Sequence, residues 1–389
     1  MTSTALQGIS RLVTNDPTRG AGLLGVVEDA AVVIEGSTVS WVGPRSELGP
    51  ADQLVDLGGR CVLPGWVDSH SHLVFAGDRS AEFGARMAGA PYAAGGIMAT
   101  VGPTRAATDE ELLARVQRLL AEMIAGGTTC VETKTGYGLD LVTEVRSARI
   151  ARAAGVDEVT FLGAHLLPPE FAGDADGYID LVCGRMLAGV LPEVSWIDVF
   201  CESGAFDEDQ SRRVLEAGRA AGLGLRVHGN QLGTGPGVAL AVELGAASVD
   251  HCTYLSPQDI DALAASTTVA TLLPACDLST RQAAAPGRAL VDAGATVALA
   301  ANCNPGSSYT TSMSLVVALA VLQCRMTVAE AVWSATAGGA AALGRTDVGR
   351  IVAGARADLH VLDAPAEDYL AYRVGVPLTH AVWKAGTRY

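Results

Sequence analysis

The chain has 389 residues, of which 49% are hydrophobic and 18% charged, and this length predicts either one large barrel-type domain or two domains. Its formal net charge of −15 argues against nucleic acid as a partner, because a phosphate backbone selects a basic surface. No basic segment followed by an apolar core opens the chain, and no apolar run reaches the roughly 18 residues of a membrane span, so neither export nor membrane insertion is expected.

The eight cysteines are scattered along the chain and include no Cys-x-x-Cys pair. Such spacing is typical of reduced, mostly buried thiols rather than of a disulfide framework. We therefore expect a cytoplasmic protein.

Short β-strands are predicted near both ends of the chain. In the N-terminal part they are Leu24 to Val27, Ala31 to Glu35, Val39 to Val42 and Leu54 to Leu57, separated by Gly-Ser and Gly-Pro turns. The C-terminal part offers Gly349 to Ile351, Asp358 to Leu362 and His380 to Lys384. We expect residues 1–60 and 344–389 to form one small β-sandwich domain.

Between these ends, residues 61–343 alternate short apolar runs with amphipathic helices. Helix starts are indicated by the capping box at Thr108 to Glu111, by Ser256-Pro257, and by Thr327 with Glu330. The apolar runs end near His70, Glu132, His165, Glu202, His228, His251, Pro274 and Asn302. Eight strands alternating with helices predict an α/β fold, a (β/α)₈ barrel of TIM type with its active site at the carboxyl ends of the strands.

Five of the seven histidines fall at or just after these strand ends: His70, His72, His165, His228 and His251. His70 and His72 are separated by one residue, so they share a face if the backbone there is extended. Imidazoles grouped in this way favour a metal site, although any single one could be a hydrogen-bonded structural histidine. His360 and His380, in the predicted β domain, are expected to be structural.

Five segments resemble the imidazolonepropionase family of metal-dependent amidohydrolases. They are His70 to Arg79 (HSHLVFAGDR), Lys134 to Leu139 (KTGYGL), Phe161 to His165 (FLGAH), Asp198 to Glu202 (DVFCE) and Asn304 to Ser308 (NPGSS). The resemblance implies an amidohydrolase barrel with a β domain from both termini, one Zn or Fe ion, and a homodimer. It also implies hydrolytic opening of 4-imidazolone-5-propanoate, a small anionic heterocycle, to N-formimidoyl-L-glutamate.

Site residues follow from the same resemblance. It implies that His70, His72 and His228 bind the metal with the residue at 302, and that His251 is a general acid or base. Arg79 and Tyr137 would hold the substrate carboxylate, and His165 would contact the ring. Asn304, Gly306 and Ser307 would line the pocket.

The chain departs from the family pattern at two polar positions. An aspartate that serves as metal ligand and proton acceptor is expected where the chain has Asn302, and Gln231 stands where many members carry glutamate. A neutral amide adds no charge to a metal site and takes no proton from water, which predicts a weakly bound ion. Two alternatives to hydrolysis remain open: a divergent paralogue with non-hydrolytic ring chemistry, such as cyclisation, dehydration or isomerisation, and an inactivated variant or regulatory scaffold that still binds ligand.

Overall fold

The computed structural model describes residues 2–90 and 94–389. Its strands are β1 Ser3–Val13, β2 Val26–Glu35, β3 Thr38–Pro44, β4 Gln53–Pro64, β5 Trp66–Asp68, β6 Thr128–Lys134, β7 Glu158–Ala164, β8 Trp196–Cys201, β9 Gly224–Gly229, β10 Ser248–His251, β11 Val269–Leu272, β12 Val297–Leu299, β13 Leu359–Leu362, β14 Thr379–Lys384 and β15 Thr387–Arg388. They form two sheets.

The α-helices are α1 Ser80–Met87, α2 Met98–Ala106, α3 Asp109–Ala125, α4 Leu141–Ala154, α5 Ala175–Leu181, α6 Leu187–Val190, α7 Glu208–Ala220, α8 Gly237–Glu243, α9 Pro257–Ala264, α10 Pro274–Thr280, α11 Gly287–Asp292, α12 Met313–Leu322, α13 Val328–Trp333, α14 Gly339–Ala342 and α15 Tyr369–Tyr372. Short 3₁₀ turns occur at Arg45–Glu47, Ala94–Ile97 and Pro169–Phe171, and π turns at Val182–Met186 and Ser334–Gly338. None of the described helices is both long and apolar enough to cross a lipid bilayer.

Three helix starts that the sequence predicted are confirmed. The side chains of Thr108, Ser256 and Thr327 each accept a hydrogen bond from the backbone N–H three residues later. In each case the acidic side chain of that later residue accepts a hydrogen bond from the backbone N–H of the capping residue. Reciprocal capping satisfies two backbone donors that would otherwise lack partners. It therefore fixes where these helices begin on the outside of the barrel.

The first sheet is built from both termini, as predicted. Its strand order is β15-β14-β13-β4-β1-β2-β3, and its core includes Leu6, Leu12, Val32 and Leu359, all fully buried. Strand β1 pairs in parallel with β4 and antiparallel with β2. The sequence analysis assigned no strand before residue 24, so β1, a central strand, was missed.

The second sheet is a barrel of eight parallel strands in consecutive order from β5 to β12. Its strands end where the sequence predicted, which confirms the (β/α)₈ architecture. Beyond the strand ends, backbone hydrogen bonds join the segments that follow β5 and β12: Asn302 N–H donates to His70 C=O and His72 N–H donates to Cys303 C=O, each at 3.0 Å. The histidine pair and Asn302 are thereby held side by side.

The boundary between the two sheets falls at Gly65. Strand β4 ends at Pro64 in the terminal sheet, and β5 begins at Trp66 in the barrel. A Cβ at Gly65 would lie 2.2 Å from Thr129 Oγ1, so no larger residue fits. The apolar run from Cys61 to His70, expected to be one strand, is thus divided between two sheets. His70 and His72 lie in the extended segment just after β5.

Candidate metal centre and substrate pocket

Three buried histidines converge at the carboxyl ends of the barrel strands. His70 follows β5, His228 lies in β9 and His251 ends β10, and each offers a ring nitrogen within 4.8 Å of the other two. The ring centroids of His70 and His228 are 4.6 Å apart. His72 lies outside this group, but its Nε2 is 3.3 Å from His70 Nε2.

A carboxylate stands behind each of two histidine rings. Asp250 Oδ2 lies 2.7 Å from His70 Nδ1, and Asp198 Oδ2 lies 3.0 Å from His228 Nδ1. A carboxylate on Nδ1 fixes the tautomer and leaves Nε2 as the lone-pair donor, the arrangement that metal-binding histidines almost always show. Nε2 of His228 is buried and makes no hydrogen bond to the described residues. The donor set therefore fits a metal ion.

Buried charges hold these carboxylates in place. Lys134 Nζ lies 3.1 Å from Glu132, 3.0 Å from Asp198 and 3.6 Å from Asp250, and Arg226 Nη2 lies 3.0 Å from Asp250. All five side chains are fully buried. We call this group the pocket floor.

Electrostatics keep two members of the pocket floor, Asp250 and Lys134, ionised. Burial alone disfavours the charged form of Asp250, but Arg226 and His70 outweigh it and hold the pKa of Asp250 well below its usual value. Burial likewise opposes the charge of Lys134, yet Glu132 and Asp198 raise its pKa above the usual value. Asp250 is therefore anionic when it accepts from His70. Burial opposes the charge of Asp198 as well, but His228 and Lys134 outweigh it and lower the pKa of Asp198.

Four of the pocket histidines are kept neutral. Burial, reinforced by neighbouring charges, holds the pKa of His70, His72 and His251 well below the usual value. Burial also lowers the pKa of His165 to about 3. Neutral imidazole is the form that binds metal, so no proton has to leave first.

Left-handed backbone conformations occur at two residues of this site. His251 and Asn302 both have positive φ, at 84° and 55°, a region that few non-glycine residues adopt. Asn302 Nδ2 donates to Ser307 Oγ at 3.1 Å. Its buried Oδ1 makes no hydrogen bond to any residue that the structure describes. An orphaned amide oxygen beside neutral imidazoles is a further donor suited to a cation.

The histidines open into a narrow cavity of about 20 Å³. It is lined by His72, Arg79, Ile97, His165, Phe200, His228, Gln231, His251, Asn302, Asn304 and Ser307. The structure thus brings most of the predicted site residues together around one cavity.

The remaining predicted residues adjoin the pocket. The Tyr137 ring lies 5.9 Å from His72 and 5.5 Å from His165 between centroids. The rings of His72 and His165 stack at 5.4 Å. Gly306 packs against Arg79, since a Cβ there would lie 2.1 Å from Arg79 Nη1.

Two buried glutamates that the sequence analysis did not single out as site residues shape the loops of the pocket. Glu144 accepts hydrogen bonds from the backbone N–H groups of Gly136, Gly138 and Leu139, at 2.8 to 2.9 Å, and so holds the loop that carries Tyr137. Glu202 Oε2 accepts from Gln231 N–H at 2.9 Å.

The chain is similar to known proteins along its whole length. The amidohydrolase family model matches residues 89–388. An imidazolonepropionase of Saccharopolyspora erythraea is 64% identical over 392 residues, covering 100% of this chain and 99% of that protein. The chain belongs to the imidazolonepropionase family of amidohydrolases. A second imidazolonepropionase, from Streptomyces griseus, is 59% identical with 100% of both chains covered.

More distant solved structures share the amidohydrolase fold with this imidazolonepropionase-family chain. Atrazine chlorohydrolase from Arthrobacter aurescens TC1, complexed with zinc, superposes with a TM-score of 0.72 at 18% identity, covering 99% of this chain and 94% of that one. An adenosine deaminase from Xanthomonas campestris with bound zinc gives a TM-score of 0.71 at 20% identity, covering 100% and 92%. At such identities the likeness concerns the fold alone.

Proposed function

We propose that the protein hydrolyses 4-imidazolone-5-propanoate to N-formimidoyl-L-glutamate. The observation that carries this proposal is identity of 64% along the whole chain to an imidazolonepropionase. The pocket supports it, because four buried histidines and a buried arginine line the same cavity. These are the groups that a metal-dependent hydrolase of an anionic substrate needs.

His70, His72, His228 and Asn302 would hold one Zn or Fe ion. Imidazole suits both metals, and the carboxylates behind His70 and His228 orient their rings for binding. When bound, such an ion supplies Lewis acidity, which lowers the pKa of water towards about 7 and polarises a carbonyl. Asn302 adds a neutral oxygen where a carboxylate would add charge, so binding is weak.

His251 moves the protons. Hydrolysis joins the water oxygen to the ring carbonyl carbon, breaks the adjacent ring C–N bond, and leaves the departing nitrogen in need of a proton. His251 is buried and neutral beside His70 and His228, so it can accept a proton from water and return it to that nitrogen. Gln231, which lines the same cavity, orients water or substrate and carries no proton itself.

The pocket residues outside the proposed metal site bind the substrate. Arg79 offers a planar fork that matches a carboxylate, and Tyr137 adds a phenol near it. His165 stacks on His72 and contacts the heterocycle. Asn304, Gly306 and Ser307, from the loop after β12, close the cavity around the ring.

Removal and return of metal test the proposed reaction. Ring opening should disappear on exhaustive chelation and return with Zn or Fe, while a chelated and mock-reconstituted sample stays inactive. Turnover that survives complete metal removal would refute the proposal.

Metal content separates the roles of two histidines. His72→Gln should lower the metal-to-protein ratio, whereas His251→Gln should keep metal and lose turnover. The reverse result would make His251 the ligand, as its proximity to His70 and His228 allows.

We further propose that the enzyme acts in the cytoplasm as a homodimer. All eight cysteines are free, as a reducing compartment requires. Analytical ultracentrifugation of the purified protein tests the dimer.

A further inference from the structure

Arg79 already holds a carboxylate of its own chain. Its Nε donates to Glu82 Oε2 at 2.8 Å and its Nη2 to Glu82 Oε1 at 2.6 Å. The Arg79 side chain is 4% exposed and that of Glu82 36%. Arg79 immediately precedes α1, and Glu82 lies in its first turn, so the pair is built into the start of one helix.

The pairing with Glu82 occupies one edge of the Arg79 guanidinium group and leaves the other edge available. The group carries five N–H donors in a rigid plane, and the edge formed by Nε and Nη2 is taken by Glu82. Among the described residues, Nη1 has no hydrogen-bond acceptor. The edge formed by Nη1 and Nη2 is therefore the one that a ligand carboxylate can take.

Two glycines confine the guanidinium group to a narrow slot. A Cβ built on Gly96 would lie 2.3 Å from Arg79 Nη2, and one built on Gly306 would lie 2.1 Å from Arg79 Nη1. A side chain at either glycine would force the guanidinium group to move, so glycine at both positions lets the two backbones lie close to it. Arg86 Nη1 donates to Gly306 C=O at 2.9 Å and holds that wall of the slot.

We propose that Glu82 is a positioning residue that fixes Arg79 with its Nη1 edge towards the pocket, and thereby sets the preference for carboxylate-bearing ligands. The inference rests on the proposed function in taking Arg79 as the group that binds the substrate carboxylate. Ordering the guanidinium group before the ligand arrives removes an entropic cost from binding. Glu82 itself does not touch the substrate.

Calorimetric titration of the intact protein with imidazole-4-propanoate and with its primary amide tests this role. Glu82→Ala should weaken binding of the acid about tenfold, the factor that corresponds to about 1.4 kcal/mol, and leave binding of the amide unchanged. Glu82→Gln should give a smaller loss, because its amide accepts one of the two N–H groups and opposes the other. Glu82→Gln also provides the test if Glu82→Ala folds poorly.

The matched control is Glu243→Ala. Glu243 forms a bidentate pair with Arg212, at 2.6 and 2.8 Å, on the outer helices, and its loss should change neither titration. In an Arg79→Ala background, Glu82→Ala should have no further effect on the acid, because the residue through which Glu82 acts is gone.

Several results would overturn the inference. One is a wild-type protein that binds the acid no more tightly than the amide. Others are a Glu82→Ala variant that loses equal affinity for both probes, or that loses the same affinity for the acid in the Arg79→Ala background. Tighter binding of the acid by Glu82→Ala would make Glu82 a competitor of the ligand carboxylate. Failure of ring opening in the wild type would count against the proposed function instead, since the titrations need no turnover.

Discussion

Buried histidines occupy two regions of the molecule, and their surroundings differ. In the pocket, Asp250 lies 2.7 Å behind His70 and Asp198 lies 3.0 Å behind His228. At the seam between the terminal sheet and the barrel, His360 packs edge-on against Trp66 at 5.2 Å. Its Nε2 lies 2.9 Å from the hydroxyl of Thr379.

Burial does not distinguish the two regions. It lowers the pKa of His360 to about 3, as it lowers that of His165 in the pocket to about 3. What differs is the carboxylate behind the rings of His70 and His228, which orients a histidine as a metal ligand. The hydroxyl partner of His360 only satisfies the hydrogen-bonding capacity of its ring nitrogen. The ionised pocket floor therefore identifies the functional region better than the histidines do.

The largest expected effect comes from adding a carboxylate beside the pocket histidines. Asn302→Asp supplies a negative charge and a proton acceptor, so we expect tighter metal binding and about 10²–10⁴-fold faster ring opening. Metal titration and steady-state kinetics measure the two effects. Asn304→Asp, in the same loop, should not raise metal affinity. Full occupancy and family-like turnover in the unmodified protein would show that Asn302 is no handicap.

The next effect concerns the pocket floor. Lys134→Met leaves Glu132 and Asp198 buried without their cation, which should cost about 3–5 kcal/mol of unfolding free energy. Urea denaturation measures it. The chain's other lysine, Lys384, pairs with Asp157 at 3.0 Å but is partly exposed, so Lys384→Met should cost no more than about 1 kcal/mol. Equal losses of unfolding free energy in the two variants would show that the buried pocket floor is no more sensitive than the partly exposed pair of Lys384 and Asp157.

A smaller effect is expected at the carboxylate side of the pocket. Arg79→Lys keeps the charge but loses the fork, and a charge-assisted contact of this kind contributes about 1.5–3 kcal/mol. KM should rise by about one to two orders of magnitude, with kcat changed far less, because the contact exists in ground state and transition state alike. Arg212→Lys on the outer surface is the control. A loss confined to kcat would contradict the assignment.

The last effect is absent at neutral pH and tests the seam. The pKa of His360 is about 3 in the fold against 6.5 in the unfolded chain, so between these values the unfolded state binds the extra proton. Stability contributed by neutral His360 is present above about pH 6.5 and falls by about 1.4 kcal/mol per unit as the pH drops towards 3. His360→Gln should flatten this acid limb in denaturation series at several pH values. His380→Gln, at an exposed position, should leave it unaltered.

Much of the fold could be predicted because its signals are local. Polar residues at the ends of eight apolar runs indicated the barrel, and capping boxes indicated the helix starts. Strand β1 was missed because Ser3–Val13 mixes Gln7, Gly8 and Arg11 into its apolar pattern, and a bulge between Leu6 and Ile9 shifts the alternation. Its assignment depends on pairing with β4, which is a tertiary property.

The candidate site was predictable in its histidines and less so in what supports them. Asp198 and Asp250 are 30 and 180 residues away from the histidines they orient, so no local spacing connects them. Lys134 carried one usable signal, because it ends β6 two residues after Glu132, and side chains two residues apart share a face of a strand. Glu82 lies three residues after Arg79, yet the same spacing on a surface helix makes an ordinary ion pair.

One measurement tests most directly whether the histidine cluster above the pocket floor performs hydrolysis. Metal-loaded protein should open 4-imidazolone-5-propanoate in water labelled with oxygen-18 and place one labelled oxygen atom in each molecule of N-formimidoyl-L-glutamate, as mass spectrometry of the product would record. Turnover to a product without the label, or no turnover by fully metal-loaded protein, would contradict the account.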